Sequence, residues 1–496
     1  MTSNWGGLRK NAGRKKANYK KIPKQIYFPP ELIKEITDMS IVNCSSFSSK
    51  AVSLIEQGLA QEKVKKNKET SKMTSKTIKI ADLFAGMGGI RIGFCNALKK
   101  KHLQPQTVFV SEIKKSALSV YHDNFGPEQI TGDITKVDTK DIPDFDYVLA
   151  GFPCQAFSSA GKRLGFEDTR GTLFFDVARI IKDKQPEGFL LENVEGLTTH
   201  DHGKTFKVIL NVLHELGYSV SYKILDSANF GLAQSRKRIY ITGTKNGKAP
   251  ILENFDTFDN SVLSDIIENN VGPVHDQFSK KLLTHYSLTE LEGKQIKDKR
   301  GGKNNIHSWD FELKGPVSNN QKELLSLMLR HRRSKKWAAI WGIDWMDGMP
   351  LTINMIETFY KNTNLKDMLD DLVKKGYLVY EYPKKKTKHG REYDTTKSKG
   401  YNIVTGKLSF KYSKILDPNK TTPTLVATDI SHLGIPVNNG LRKLTPREGL
   451  RLFGYPDSYK LDSVSESKAF DLLGNTVAVN VIEQVSEKLL DSSLKK

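Results

Sequence analysis

The chain has 496 residues and a formal net charge of +21, with 77 Lys and Arg against 56 Asp and Glu. That length leaves room for several domains, and the excess of cations points to a polyanionic partner. Three cysteines, Cys44, Cys95 and Cys154, show no Cys-x-x-Cys spacing; this argues against a metal site or a disulfide framework and fits a reducing cytoplasm, and no run of about 18 apolar residues offers a membrane span.

Residues 1–24 carry Arg9, Lys10, Arg14, Lys15, Lys16, Lys20, Lys21 and Lys24 and no acid. Such a block reads as a basic disordered tail suited to nucleic acid, and without an apolar stretch it is no secretory signal. Gln25-Ile26-Tyr27-Phe28 alternates like a short strand. Pro29-Pro30 then opens a helix with Leu32, Ile33, Ile36 and Met39 on one face. Ser45 or Ser46 would cap a second helix carrying Ala51, Val52, Ile55 and Leu59. Strand, helix and helix over residues 25–62 resemble the ribbon-helix-helix DNA-binding module, which forms as a dimer. Gln25 and Tyr27 would then face the bases. A helical extension packed on the main domain is the plainer alternative. Residues 63–76 are polar and charged, and read as a linker; Met73, at its end, is a candidate second start.

Residues 77–248 alternate strands with helices, the pattern of an α/β doubly wound sheet. A strand through Ile80 and Leu83 runs into Ala85-Gly86-Met87-Gly88-Gly89 and a helix through Ile90, Phe94 and Leu98. A glycine turn between strand and helix lets backbone N–H groups approach a ligand. The spacing matches neither the dinucleotide fingerprint nor the P-loop. A second strand ends at Ser111-Glu112, and an acid about 20–25 residues past such a turn is where nucleoside-binding α/β folds hold ribose hydroxyls. Gly132-Asp133-Ile134 brings another acid. The buried strand Tyr147–Ala150 precedes Gly151-Phe152-Pro153-Cys154-Gln155. Pro153 stiffens that turn. Cys154 is a candidate nucleophile, with a buried inert thiol as the equal alternative. A helix is expected near 172–183, a strand over 188–191, a helix over 204–216, and strands over 219–226 and 238–243.

These motifs, with Glu192-Asn193-Val194, Gln234-Ser235-Arg236-Lys237-Arg238, Thr445-Pro446-Arg447-Glu448 and Gly474-Asn475-Thr476-Val477, come in one order. In that order they resemble the DNA (cytosine-5) methyltransferases of bacterial restriction–modification systems. The resemblance covers about residues 77–245 and 440–490. It implies a Rossmann-like sheet that binds S-adenosyl-L-methionine and acts on double-stranded DNA, in functional pairing with a restriction endonuclease. It gives Cys154 the attack on carbon 6 of cytosine and Glu192 the proton for ring nitrogen 3, with Arg238 and Arg236 beside it. The cofactor would be held by Phe84, Ala85, Gly86, Gly88, Gly89, Glu112, Ile113, Asp133, Ile134, Pro153, Asn475 and Val477. Gln155 and Ser158 would meet the DNA as the cytosine is flipped out. Ala160 stands where some relatives have a serine, a departure expected to touch loop contacts and not the chemistry.

Residues 249–440 would be the target-recognition domain, and 441–496 the return to the catalytic domain. The recognition stretch holds Trp337, Trp341 and Trp345 among basic residues. Two helices followed by a strand pair with Lys384, Lys385 and Lys386 resemble a winged helix over 346–392, its second helix reading bases and its wing the DNA backbone. A basic solvated loop after an ordinary helical hairpin is the alternative. A transcriptional role for the N-terminal module is compatible with the enzyme. An RNA methyltransferase of similar fold is disfavoured by the long recognition stretch.

Overall fold

In the computed structural model the described residues are 30–42, 51, 54–55, 76–127, 130–153, 173–342, 348–388, 390–405 and 410–494. The chain separates into two compact units, Met1–Ser75 and Lys76–Lys496. In the first, helix α1 spans Pro30–Val42. Of its expected apolar face Ile36 is buried, while Leu32 and Ile33 are exposed. The strand with Gln25 and Tyr27, and the cap at Ser45 or Ser46, lie outside the described residues.

The second unit is built on a six-stranded sheet. Its strands are β1 (Thr77–Leu83), β2 (Gln104–Ser111), β3 (Tyr147–Gly151), β4 (Gly188–Val194), β5 (Ser219–Asp226) and β6 (Lys237–Thr244), in spatial order β2-β1-β3-β4-β6-β5. The first four run parallel; β6 is antiparallel to both its neighbours. The central strands are apolar on both sides because helices cover both sides. One face carries Val148, Ala150, Phe189, Leu191, Ile239 and Ile241, packed under α4 (Leu173–Lys184) and α5 (Lys204–Glu215). The alternate residues Leu149, Leu190 and Tyr240 pack on α2 (Gly89–Lys100) and on the last helix, Val479–Ser493. The period-2 alternation of each strand thus supplies two cores at once. The last helix lies against α2 so closely that a Cβ on Gly93 would meet Ile482 Cβ at 2.7 Å and the Val479 carbonyl at 2.8 Å. Lys100 bridges Glu483 and Glu487, and Lys101 bridges Asp491, along the same seam. Helix α3 (Lys115–Phe125) follows β2.

Beyond β6 the chain builds a small sheet, ordered β15-β14-β13-β7-β8, from Gln295–Ile296 (β7), Asn305–Ile306 (β8), Lys414–Ile415 (β13), Leu433–Val437 (β14) and Gly440–Lys443 (β15). Inserted in it is a second cluster with its own core. In chain order it has α6 (Asn319–His331), α7 (Lys335–Trp341), a bridge strand at Leu351, α8 (Ile353–Glu357), α9 (Leu365–Lys374), β9 (Leu378–Glu381), the hairpin β10 (Lys384–Thr387) with β11 (Gly390–Tyr393), and β12 (Gly400–Ile403). β12 pairs antiparallel with β9, and Tyr401 bridges Leu351, so three extended segments lie side by side. One apolar core runs from Trp309 to Ile403, so this unit is wider than 346–392. Trp337 and Trp341 are buried in that core, and Trp345 is outside the described residues. The chain closes with α10 (Pro446–Leu452), α11 (Glu466–Gly474) and α12 (Val479–Ser493). Among the described residues no helix is long and apolar enough to cross a membrane.

Candidate active site

The carboxyl ends of β1, β2, β3 and β4 gather most of the expected site residues. β1 ends in a turn that only tight backbone geometry allows. Phe84 sits at φ +54°, and Gly86 and Gly88 at +54° and +74°. A positive φ on Phe84 is strained for a side chain with a Cβ, and the surrounding bonds hold it. The Ala85 N–H donates to the Ser111 carbonyl at 3.0 Å, and the Gly88 N–H to the Ala85 carbonyl at 2.7 Å. Gly88 is the N-cap of α2 and brings no side chain to cover the first helical N–H groups, which leaves an anion-friendly helix start.

Glu112 faces this turn from the end of β2. One of its oxygens accepts from the Gly86 N–H at 2.8 Å; the other accepts from the N–H groups of Ile113 and Lys114. Next to it Ile113 is 71% exposed, an apolar surface left open beside an acid. Asp133 is the half-buried cap of a short turn, its oxygen taking the Thr135 N–H and hydroxyl; those bonds hold its carboxyl below the usual range. Ile134 does not reach outward. Its side chain is buried in the core under α4, and its carbonyl takes a guanidinium N–H of Arg179 at 3.1 Å, so a cofactor contact from this residue is limited to its own N–H.

The C-terminal segment returns here through Val477, one of the two residues expected, while the other turns away. Asn475 is exposed and folds back on Asp471. The neighbours do the closing. A Cβ on Gly89 would lie 2.5 Å from the Tyr455 hydroxyl, 2.8 Å from Val477 Cγ2 and 3.3 Å from Thr476 Oγ1. Tyr455 and Thr476 share a hydrogen bond, and the Tyr459 hydroxyl donates to the Met87 carbonyl. Tyr455 and Tyr459 were not anticipated from the sequence. The signal for them was an aromatic pair, one helical turn apart, just after the Thr-Pro-Arg-Glu helix.

Glu192 lies near the end of β4, buried, directly across from Gly151 in the β3–β4 register. A Cβ on Gly151 would sit 3.3 Å from Ile90 Cδ1 and 3.7 Å from Glu192 Oε2, so the glycine lets the carboxyl and the start of α2 approach closely. Its Oε1 is 3.2 Å from Arg238 Nε. Burial pushes the Glu192 carboxyl above its ordinary range, against the opposing pull of Arg238 and then Arg236; in so dry a site desolvation wins. The side-chain N–H of Asn193 donates to the Phe152 carbonyl at 2.8 Å. That bond fixes the backbone just before Pro153, so the segment leading to Cys154 leaves the sheet beside Glu192. Pro153 is exposed. Cys154, Gln155 and Ser158 lie outside the described residues.

Arg236 corrects the expectation. Expected beside Glu192 with Arg238, it lies just before β6, which begins at Lys237. Its guanidinium is turned inward instead, donating to the carbonyls of Leu425 at 3.1 Å, Thr476 at 2.7 Å and Gly474 at 3.4 Å, with its carbon 5.2 Å from the centre of the Phe453 ring. It ties the C-terminal return to the base of the sheet. Gln234 works alongside, donating to the Leu452 carbonyl and accepting from the Leu425 N–H.

On the hairpin, Lys384 and Lys386 share one face, and Lys385 is on the other, 3.7 Å from Asp394. Among the described residues no group of three or more His, Cys, Asp or Glu could hold a metal ion.

A glycine turn at the first strand, an acid at the second, and a buried acid–guanidinium pair at the fourth define an α/β transferase of nucleoside-cofactor type. The family model described as C-5 cytosine-specific DNA methylase matches residues 78–491, and the chain belongs to that family of DNA cytosine-5 methyltransferases. It is 57% identical over 420 residues to the type II methyltransferase M.NlaIV of Neisseria lactamica, covering 83% of this chain and 99% of that one. It is 56% identical to M.NgoBV of Neisseria gonorrhoeae, with the same shares covered. It is 41% identical to M.BanI of Aneurinibacillus aneurinilyticus, over 84% of this chain and 97% of that one.

Proposed function

We propose that this enzyme methylates carbon 5 of cytosine within one short duplex sequence, as the modifying partner of a restriction endonuclease. Its relatives' names as type II methyltransferases support the pairing. The observation that carries the chemistry is Glu192: a carboxyl kept protonatable by burial, paired with Arg238, and set directly across from Gly151, two residues before Pro153.

S-adenosyl-L-methionine supplies the methyl group. The turn at 84–89, Glu112 with the open Ile113, Asp133 and the Thr476–Val477 return fit it as a cradle for an adenosyl amino acid: hydroxyl acceptors, an apolar surface and free helix N–H groups. The chain's own groups do the rest. The Cys154 thiolate adds to carbon 6 of a flipped cytosine, and the displaced electron pair is drawn toward nitrogen 3. Glu192 gives nitrogen 3 its proton, and Arg238 steadies the carboxylate left behind. Carbon 5, now enamine-like, takes the methyl group. Its proton then leaves to solvent, the bond from carbon 6 to sulfur breaks, and Glu192 recovers its proton from nitrogen 3. Gln155 and Ser158, by the family resemblance, would meet the DNA during this step.

The test treats unmethylated DNA of mixed sequence with S-adenosylmethionine and either the intact protein or Cys154→Ala, followed by bisulfite sequencing. Protected cytosines in one short motif, with the intact protein only, are expected. No protected cytosines would overturn the reading for DNA.

The family model begins at residue 78, which leaves the basic N-terminal stretch outside the catalytic unit. There we read a separate ribbon-helix-helix DNA-binding module that pairs two copies and regulates the enzyme's own promoter. Deleting residues 1–72 should abolish promoter binding and leave methylation; promoter binding that survives the deletion removes the module.

A further inference from the structure

Helix α3 is tied to the C-terminal return at both of its ends, by bonds of different kinds. At its last turn the tie is a reciprocal pair of amides. The Asn124 side-chain N–H donates to the Lys460 carbonyl at 2.8 Å, and the Lys460 N–H donates to Asn124 Oδ1 at 2.8 Å. Along its middle, Ala117 and Val120 share an apolar core with Ala469, Phe470 and Leu473 of α11. At its start the tie is an ion pair. Lys114, the N-cap residue of α3, meets Asp471 of α11 at 2.5 Å, with side chains 39% and 45% exposed.

That ion pair stands between two segments of the proposed cofactor cradle. On one side the Lys114 N–H donates to Glu112 Oε1 at 2.7 Å, while the other Glu112 oxygen holds the Gly86 N–H at 2.8 Å. Ile113, between the two in sequence, is exposed. On the other side Asp471 divides its carboxylate. Oδ2 takes the Lys114 ammonium, and Oδ1 accepts from the Asn475 amide at 3.2 Å. One carboxylate therefore links the acid-bearing end of β2 to Asn475, across 357 residues of chain. An exposed ion pair is weak, and salt screens it. The amide pair and the apolar core carry no net charge for salt to screen. The seam is firm at Asn124 and easily parted at Lys114.

We propose that Lys114 and Asp471 form an ionic clasp across the mouth of the cofactor cradle, and that this clasp sets how long S-adenosylmethionine stays bound. The inference rests on the cofactor reading above. Both are positioning residues: they hold the segments of Glu112 and Asn475 and do not themselves touch the cofactor. A weak clasp suits a cradle that must exchange its contents at every turnover, since lid opening and product release limit many enzymes.

The experiment times the loss of labelled S-adenosylmethionine into an excess of unlabelled cofactor, at low and at near-physiological salt. It compares the full chain with Asp471→Asn, with Lys114→Gln, and with the exchanged pair Lys114→Asp/Asp471→Lys. Each single variant should release the cofactor about twofold to fivefold faster at low salt, the range an exposed ion pair supports. Added salt should speed release from the intact chain and leave the single variants unchanged. The exchanged pair should regain slow, salt-sensitive release. Unchanged rates in both single variants overturn the proposal. So does a general loosening, which would quicken release by the same factor at every salt concentration and would survive the exchange. So does faster release from Lys114→Gln with unchanged release from Asp471→Asn, which would put the ammonium on the cofactor itself. Calorimetric titration of the intact chain with S-adenosylmethionine is scored separately. No binding there would refute the cofactor reading, while binding with an indifferent ion pair would refute only the clasp.

Discussion

Replacing Arg236 with Ala separates two arginines that the sequence places side by side. Arg236 donates to three buried carbonyls, two at distances of 2.7 and 3.1 Å and a third at a marginal 3.4 Å. Hydrogen bonds to a charged group contribute about 1.5–3 kcal/mol each, so the two good bonds together imply a loss of roughly 3–6 kcal/mol. The acceptors belong to Leu425 and Thr476, so the loss falls on the segment that closes over Gly89. Affinity for S-adenosylmethionine should therefore fall together with stability. Arg238→Ala should instead lower the rate of methyl transfer while leaving cofactor affinity nearly intact, since Arg238 touches Glu192 and not the turn. The assays are guanidinium unfolding, calorimetric titration of the cofactor, and single-turnover methyl transfer. A loss below about 1 kcal/mol in Arg236→Ala, less than even one neutral hydrogen bond is worth, would refute the positioning role. So would a rate defect equal to that of Arg238→Ala with cofactor binding intact.

The rate of transfer should fall as pH rises through the raised pKa of Glu192, because only the protonated carboxyl can donate. Removing Arg238 removes the largest lowering influence on that group, so Arg238→Gln should move the alkaline limb of the rate profile to higher pH; a shift to lower pH would contradict the assignment. Tyr459→Phe deletes the bond to the Met87 carbonyl, and should weaken cofactor binding by about 1 kcal/mol, read by calorimetry. Gly89→Ala forces a Cβ against Tyr455 and Val477, and overpacking of this kind costs about 1–3 kcal/mol, seen as lower cofactor affinity and a lower unfolding midpoint. Arg442 and Glu448 form a buried pair whose carboxylate also accepts the N–H groups of Thr445 and Glu268. Arg442→Met should cost about 3–5 kcal/mol by stranding that charge, and Arg442→Met/Glu448→Met should recover part of it in a double-mutant cycle.

The central sheet was legible because its strands are buried on both faces, and a run such as Tyr147–Ala150 announces itself. The helix expected near 172–183 runs Leu173–Lys184, with its apolar residues at helical spacing. Arg236 was misplaced because Gln-Ser-Arg-Lys-Arg has no apolar alternation to show where the strand starts. The inserted unit was visible in its two helices and its lysine-bearing hairpin but not in its full extent. Its first extended segment is a single bridge at Leu351, too short to leave a pattern. Glu448 reads in the sequence as a motif acid, yet its partners include Arg442 and the Glu268 N–H, 180 residues away. Spacing along the chain carries no trace of such a contact. For the tyrosines at 455 and 459 the sequence offers only their spacing, since a buried hydroxyl bonded to a carbonyl looks in sequence like any aromatic core residue.

The seam between α2 and α12 joins residues near 93 to residues near 482. A chain still on the ribosome has made its glycine turn, Glu112, Cys154 and Glu192 long before it makes Thr476, Val477 and the final helix. A message cut short, or a protein clipped near its end, yields a sheet with one face bare and a turn that nothing closes. If the proposed cradle holds the methyl donor, a chain truncated before Thr476 is expected to bind it more weakly than the full chain.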